Sequence, residues 1–262
     1  MSESILIFDS GVGGLSILSE VRQTLPGVHI RYLMDSAMFP YGTRPDALLA
    51  QRIVTVCEAA VSSFNPDILI LACNTASTLA LAQLRNALSI PVVGVVPAIR
   101  VAGERCRTRE RRAFGLLATP ATVTRAYTQN LIDDFAADCE VERYGCSELV
   151  ELAERHIAGE DTRAGIHALI GSWLLQHPHM RHVVLGCTHF PLLKDELQSL
   201  WPDIDWIDSG AAVARQTARV FTSAGGKDNS LSCNWTGAWE PSAALHYLRA
   251  LGPLKDAGRL LI

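Results

Sequence analysis

One constrained stretch occurs twice in the chain. Residues 68–77 read Ile-Leu-Ile-Leu-Ala-Cys-Asn-Thr-Ala-Ser, and residues 182–191 read His-Val-Val-Leu-Gly-Cys-Thr-His-Phe-Pro. In both, an apolar run ends in a small residue, then a cysteine, then side chains of the kind that open a helix. A run without polar alternation suits a strand buried on both faces of a parallel sheet. The cysteine then falls at the strand's carboxyl end, the edge where open α/β sheets bind ligands, and the next helix start offers unpaired N–H groups to an anion. Alone, either cysteine reads as a small core hydrophobe. At matching places in a self-similar chain, Cys73 and Cys187 point instead to two related halves, each presenting a thiol.

The rest of the chain supplies further strand tips. Ile5–Phe8 is a short strand followed by Asp9-Ser-Gly-Val-Gly-Gly14 and a helical pattern. Glycines at 11, 13 and 14 are too close together for a dinucleotide fingerprint, and no Gly-Lys-Ser/Thr follows, so the turn is a backbone approach to an anion or purely structural. Asp9 sits at its tip. Ile30–Met34 ends in Asp35, and the polar loop Met38–Pro45 is expected to form a wall or lid over the tips. A helix over Ala47–Ser63 is broken by Asn65-Pro66 before the Cys73 strand. Asn74, Thr75 and Ser77 exceed what capping alone needs.

Ile90–Val96 reads as another buried strand, and Pro97 marks the crossing into the second half. Arg100–Arg112, with six arginines and two glutamates, reads as a solvated face rather than a phosphate receptor. Ala113–Ala118 ends in Thr119-Pro-Ala-Thr122, placing hydroxyls between a strand tip and a helix. A strand over Cys139–Tyr144 precedes an amphipathic helix, Ser147–Ile157, with Glu148, Glu151 and Glu154. The helix Asp161–Gln176 stops at His177-Pro-His179, and the strand Asp203–Ile207 ends in Asp208-Ser-Gly, repeating Asp9-Ser-Gly. The tail, with Trp235, Trp239 and a helix over Ala243–Leu251, is expected to pack on the first half without carrying chemistry.

Composition narrows the function classes. At 262 residues, 48% hydrophobic and 19% charged, the chain has the profile of a globular protein of one large or two ordinary domains. A net charge of −4 gives no footing for direct nucleic-acid or anionic-membrane binding. The start lacks a basic, apolar leader and no uncharged apolar run approaches spanning length, so a cytoplasmic protein is expected. Seven cysteines without a Cys-x-x-Cys pair fit reduced thiols rather than a disulfide framework or a zinc site.

Two thiols facing one anion-binding cleft suit a proton taken from one face of a carbon and returned on the other. Each thiol needs a partner to ionise near neutral pH: Asp9 for Cys73, His189 for Cys187. The motifs FDSGVGGL (8–15), ACNTAS (72–77), VVGVVPAI (92–99) and LGCTHFPLL (185–193) together closely resemble those of bacterial glutamate racemase, a cofactor-independent enzyme family making D-glutamate for peptidoglycan. The resemblance runs from Ile5 to about Val220.

It implies two similar open-sheet α/β domains related by a pseudo-twofold axis, residues 1–96 plus 210–262 and residues 97–209, with the active site in the cleft between them. It further implies that Cys73 deprotonates D-glutamate and Cys187 L-glutamate, that Asp9 assists Cys73, and that His189 and a glutamate assist Cys187. Val150-Glu-Leu-Ala-Glu154 matches the family's helix pattern and selects Glu154, with Glu151 one turn away as the alternative. Substrate contacts map to Ser10, Tyr41, Gly42, Asn74, Thr75, Thr119, Thr122 and Thr188, and Asp35 is an electrostatic contributor. No cofactor and no metal are implied. Some members depend on the precursor UDP-N-acetylmuramoyl-alanine as activator, for which Arg100–Arg112 or the domain junction is the candidate region, and some are reported to restrain DNA gyrase. A homodimer is the base expectation. The same two-cysteine plan also serves aspartate and maleate, the alternative substrates.

Overall fold

Short apolar runs alternating with amphipathic helices give βα units throughout the first four-fifths of the chain. In this computed structural model residues 3–108, 110–221 and 228–262 are described. In chain order the elements are β1 Ser4–Asp9, α1 Leu15–Thr24, β2 His29–Met34, α2 Asp46–Phe64, β3 Ile68–Leu71, α3 Asn74–Ala87, β4 Val92–Gly94 and α4 Ile99–Cys106. Then come β5 Ala113–Ala118, α5 Pro120–Thr124, α6 Ala126–Ala136, β6 Glu140–Gly145, α7 Glu148–Ile157, α8 Arg163–Gln176, β7 His182–Leu185, α9 Lys194–Leu200, β8 Asp205–Ile207 and α10 Gly210–Val220. The chain closes with β9 Leu231–Trp235, α11 Ser242–Leu251 and β10 Leu254–Arg259.

Two compact units result, Met1–Val95 with Gly210–Ile262, and Val96–Ser209. Each holds one parallel sheet, in the order β10-β9-β2-β1-β3-β4 for the first unit and β6-β5-β7-β8 for the second. Helical crossovers cover parallel strands on both faces, which is why β1, β3, β5 and β7 are apolar along nearly their whole length. The order second-first-third-fourth is common to both sheets, so β3 and β7 occupy the same topological place. Each ends two residues before a cysteine.

The tail packs on the first half, as expected. It contributes two strands, β9 and β10, that extend the first sheet beyond β2. Its polar positions on β9 are buried because they are paired: Asn234 accepts from Arg31 at 2.5 Å and donates to Gly258 O at 2.9 Å, and Ser232 meets His29 at 3.2 Å. Trp239, expected to pack inward, is 87% exposed, because it lies in the turn between β9 and α11.

Helix α2 is the longest of the described helices. At 19 residues it is long and apolar enough, by length and composition, to cross a bilayer, although it carries Arg52 and Glu58. In the fold it is a core helix: Leu49, Ile53, Val56, Cys57 and Ala60 are fully buried in the first unit's core with Leu69 and Leu71 of β3. Asn65, at a left-handed φ of 46°, ends it.

In the second unit, Phe114, Leu116 and Ala118 of β5 and Val184 of β7 pack under Ile99, Ala102 and Cys106 of α4. Ser209 donates to Val96 O at 2.5 Å, joining the first and last residues of this unit. The arginine-rich segment is a solvated, ion-paired surface. Arg100 pairs with Glu104, Arg105 with Asp205, Arg107 and Arg112 with Asp138, and Arg111 with Glu140; Arg109 lies outside the described residues.

Hydrogen bonds from Arg107, aided by Arg112, hold the Asp138 carboxyl well below the usual carboxylate range. A depressed carboxyl pKa stabilises the fold at pH above the unfolded value of about 3.9, and that contribution is lost as pH falls through the folded value. Arg107→Ala should therefore lower stability to urea by a constant amount from neutral pH down to about pH 5, with the difference from wild type shrinking below about pH 4. A pH-independent difference would assign the effect of Arg107 to packing.

Candidate active site

In the second unit the site begins at the tip of β7. Gly186 extends the ladder, its N–H bonding Leu117 O at 2.8 Å, and a Cβ there would lie 3.0 Å from both Ala118 Cβ and Leu116 Cδ1. A glycine therefore seats the next residue, Cys187, close against β5. Cys187 is half-buried, Thr188 and His189 are buried, and a short 3-10 turn over Phe190–Leu193 follows.

His189 Nε2 lies 3.0 Å from Glu154 Oε1, and its Nδ1 lies 3.9 Å from Cys187 Sγ. A carboxylate can only accept, so Nε2 carries the proton and the Nδ1 lone pair faces the thiol. The three side chains form a chain of contacts, with the imidazole between the thiol and the carboxylate. Glu154 is one turn beyond buried Val150 on α7, which turns it inward; Glu151 points to solvent. At the tip of β5, Thr119 and Thr122 are buried with their hydroxyls 3.0 Å apart, and Thr128 donates to Thr122 O at 2.6 Å.

In the first unit, Asp9 ends β1 and is fully buried, accepting from the Gly11 N–H at 2.8 Å and from the Ser10 hydroxyl at 3.3 Å. The turn is held from behind by Tyr32, whose hydroxyl donates to Gly11 O at 2.7 Å. Gly14 is required by packing: a Cβ there would approach Tyr32 Oη to 2.9 Å and the Cβ atoms of Asp9 and Ala72 to 3.0 Å. This close approach seats the start of α1 against the tips of β1 and β3, beside Cys73. Cys73, Asn74 and Thr75 are buried at the start of α3, and Asn74 Oδ1 has no hydrogen-bond partner among the described residues. Ser77 is structural: its hydroxyl donates to Leu71 O and accepts from the Val95 N–H, both at 3.0 Å, locking β3 to the end of β4.

The loop expected to be a wall or lid over the strand tips is anchored to the core at Met38 and Tyr41. Met38 packs on the core, and Tyr41 is 2% exposed, although Thr43–Pro45 face solvent. The Tyr41 hydroxyl donates to Asp35 at 2.7 Å, with Gly42 half-buried beside it. Burial, then Asp35, push the Tyr41 phenol far above its ordinary pKa, so it is a neutral donor. Asp35 is fully buried and also accepts from Arg52 at 3.1 and 2.7 Å and from Thr236 at 2.5 Å. Arg52 and Thr236 escaped the sequence reading; an arginine inside an apolar helical run was the available signal for the first, and nothing local marked the second.

Residues 14–217 match the sequence model of the Asp/Glu/hydantoin racemase family. The chain belongs to that family. It is an enzyme of the racemase class. Family members at high identity include glutamate racemases of Shewanella woodyi, 49% identical over 223 residues, covering 85% of this chain and 81% of the relative, and of Sodalis glossinidius, 46% identical over 217 residues, covering 82% and 74%. Among solved structures, Escherichia coli glutamate racemase, in complex with L-glutamate and the activator UDP-MurNAc-Ala, superposes with a TM-score of 0.89 at 38% identity, covering 99% of this chain and 98% of that one.

Removing the Asp35 carboxylate strands a guanidinium and two hydroxyls. Asp35→Ala should cost about 3–5 kcal/mol of stability in chemical denaturation, and Asp35→Asn less. A loss below about 1 kcal/mol would show that Arg52 is solvated without it.

Proposed function

We propose that this racemase interconverts L- and D-glutamate without a cofactor, with Cys187 and Cys73 acting on opposite faces of the α-carbon. The observation that carries this reading is the Cys187–His189–Glu154 relay at the tip of β7, matched by a cysteine at the tip of the topologically equivalent β3. The high identity to named glutamate racemases supports glutamate over aspartate or maleate as substrate.

From L-glutamate, the Cys187 thiolate takes the α-proton while the electron pair of the broken C–H bond stays on carbon. The Cys73 thiol then gives its proton to the opposite face, leaving D-glutamate, a Cys187 thiol and a Cys73 thiolate. Exchange with solvent resets the two. An ordinary thiol, with a pKa near 8.5, is only a few per cent ionised at pH 7. His189, backed by Glu154, raises that fraction for Cys187, and Asp9 assists Cys73.

Asn74 Oδ1, a buried acceptor without a partner among the described residues, suits the substrate ammonium. Ser10, Tyr41, Gly42, Thr75, Thr119, Thr122 and Thr188 supply donors for the two carboxylates. Hydrogen bonds to the α-carboxylate that strengthen as the carbanion forms lower the barrier. In the cell the reaction supplies D-glutamate for peptidoglycan in the cytoplasm. The activator in the E. coli complex makes UDP-MurNAc-Ala the first effector to add. The ion-paired Arg100–Arg112 surface is a poor receptor for its phosphates, which directs attention elsewhere on the molecule.

Incubation with L-glutamate in D2O, without added cofactor, should abolish optical rotation while deuterium enters the α-position. Cys73→Ser and Cys187→Ser should each lower turnover by about 10²–10⁴-fold or more. Full turnover by both variants, or exchange with aspartate or maleate alone, would overturn the assignment. Because the enantiomers are equal in free energy, Glu154→Gln must lower kcat/KM equally in both directions. Its signature is a pH profile displaced from wild type, since the relay no longer sets the ionisation of Cys187. Rates unchanged by saturating UDP-MurNAc-Ala would remove the activator.

A further inference from the structure

Away from the proposed catalytic groups, the second unit gathers four potential metal ligands on one face of its edge strand. β6 is the outer strand of its sheet, and the two-residue period puts Glu140, Glu142 and Tyr144 on the same side. Over that side lie the last turn of α8 and the His177-Pro-His179 turn that follows it, with Trp173 stacked on Tyr144 at a ring separation of 5.2 Å. Ligand atoms of Glu140, Glu142 and His179 all lie within 4.8 Å of one another. His177 Nε2 lies 3.2 Å from Glu142 Oε2.

The orientation of His177 makes this more than a cluster of acids. Its Nδ1 is 2.8 Å from Trp173 O, a group that can only accept, so Nδ1 carries the ring proton. In the neutral ring the Nε2 lone pair then points at a carboxylate oxygen, acceptor against acceptor. Only a cation between them makes that contact favourable, either a second proton or a metal ion. A ring N–H donated to a backbone carbonyl with the other nitrogen turned to the ion is the usual orientation of a metal-binding histidine.

His179 adds a second imidazole, its Nε2 buried and without a hydrogen-bond partner among the described residues, one proline away in sequence and with its ring 6.1 Å from that of His177 at 74°. Two donors each about 2.0–2.2 Å from a tetrahedral zinc are roughly 3.3–3.6 Å apart, close to the His177–Glu142 separation. Glu140 is the outer member, since it already receives a bidentate pair from Arg111 at 2.8 and 2.7 Å.

We propose that Glu142, His177 and His179, with Glu140 beside them, bind one divalent transition-metal ion of the Zn2+, Co2+ or Ni2+ type. Two imidazoles with carboxylate oxygens favour these over Mg2+ and Ca2+, which take oxygen ligands. The ion ties the edge strand to the end of α8, adding to the Trp173–Tyr144 stacking and the hydrogen bond from the Tyr144 hydroxyl to Leu169 O at 2.9 Å. It has no part in the proton transfers assigned to the thiols.

The test is titration of the reduced full-length protein with Co2+ and Zn2+. Co2+ should give d–d absorption of one bound equivalent without a thiolate charge-transfer band, and Zn2+ should displace it and raise Tm. His179→Ala and Glu142→Gln should each weaken uptake by about tenfold or more and abolish the Tm shift, with racemase activity unchanged. Absence of uptake would mean that a proton alone joins His177 to Glu142 and would overturn the proposal. Uptake undiminished in both variants, or uptake with a thiolate band that disappears when the cysteines are blocked, would overturn it equally.

Discussion

The carboxylate of Asp35 is the point on which the carboxyl edge of the first unit's sheet depends. One buried anion at the tip of β2 gathers Arg52 from α2, Tyr41 from the following turn and Thr236 from the residue after β9. These partners come from segments about 200 residues apart in sequence, yet each satisfies a different lone pair of the same group. An isolated buried carboxylate would be costly; four hydrogen bonds, two of them from a guanidinium, make it an anchor. Its charge is thus matched within the first unit, and it fixes the position of Tyr41 through a direct hydrogen bond.

The two cysteines share a topological place but differ in wiring. At β7 the partner is an imidazole two residues along, itself oriented by a glutamate from α7. At β3 the nearest carboxylate in the sheet is Asp9 on the adjacent strand β1, whose position is set by the Gly11 N–H and by the space that Gly14 leaves. The sheet supplies equivalent positions, and the loops at its carboxyl edge supply different chemistry. Cys57 and Cys233 behave as core residues: burial pushes Cys57 well above its ordinary value and Cys233 to about 12.

Legibility in the sequence followed burial. β1, β3, β5 and β7 were readable because parallel strands covered on both faces cannot alternate, and Cys73 and Cys187 stood out because two such strands ended alike. β9 was not readable. Its Ser232 and Asn234 mimic a half-exposed strand, and they are tolerated inside only because His29, Arg31 and Gly258 lie opposite. β10, an edge strand with exposed Lys255, Asp256 and Arg259, has no apolar signal at all. Met38–Pro45 looked too polar for the core because a buried tyrosine hydroxyl is invisible as a core group until its acceptor, Asp35, is known. The choice between Glu151 and Glu154 likewise rested on a helix phase that one sequence leaves open and a single contact to His189 makes concrete.

The interruption of the first unit by the second has a consequence for synthesis. As the chain leaves the ribosome, β1 to β4 emerge early, but β2 lacks its neighbour until residues 231–235 arrive, after the whole of the second unit. During that interval β2 is a nascent edge, with the backbone groups that later pair with β9 left without that partner, and such edges invite pairing with other chains. The second unit has no such wait, since its sequence is continuous and its two ends are clasped by Ser209 and Val96. It is the piece equipped to fold first, and prompt completion of Val96–Ser209 shortens the exposure of β2 by keeping the flanking segments close in space.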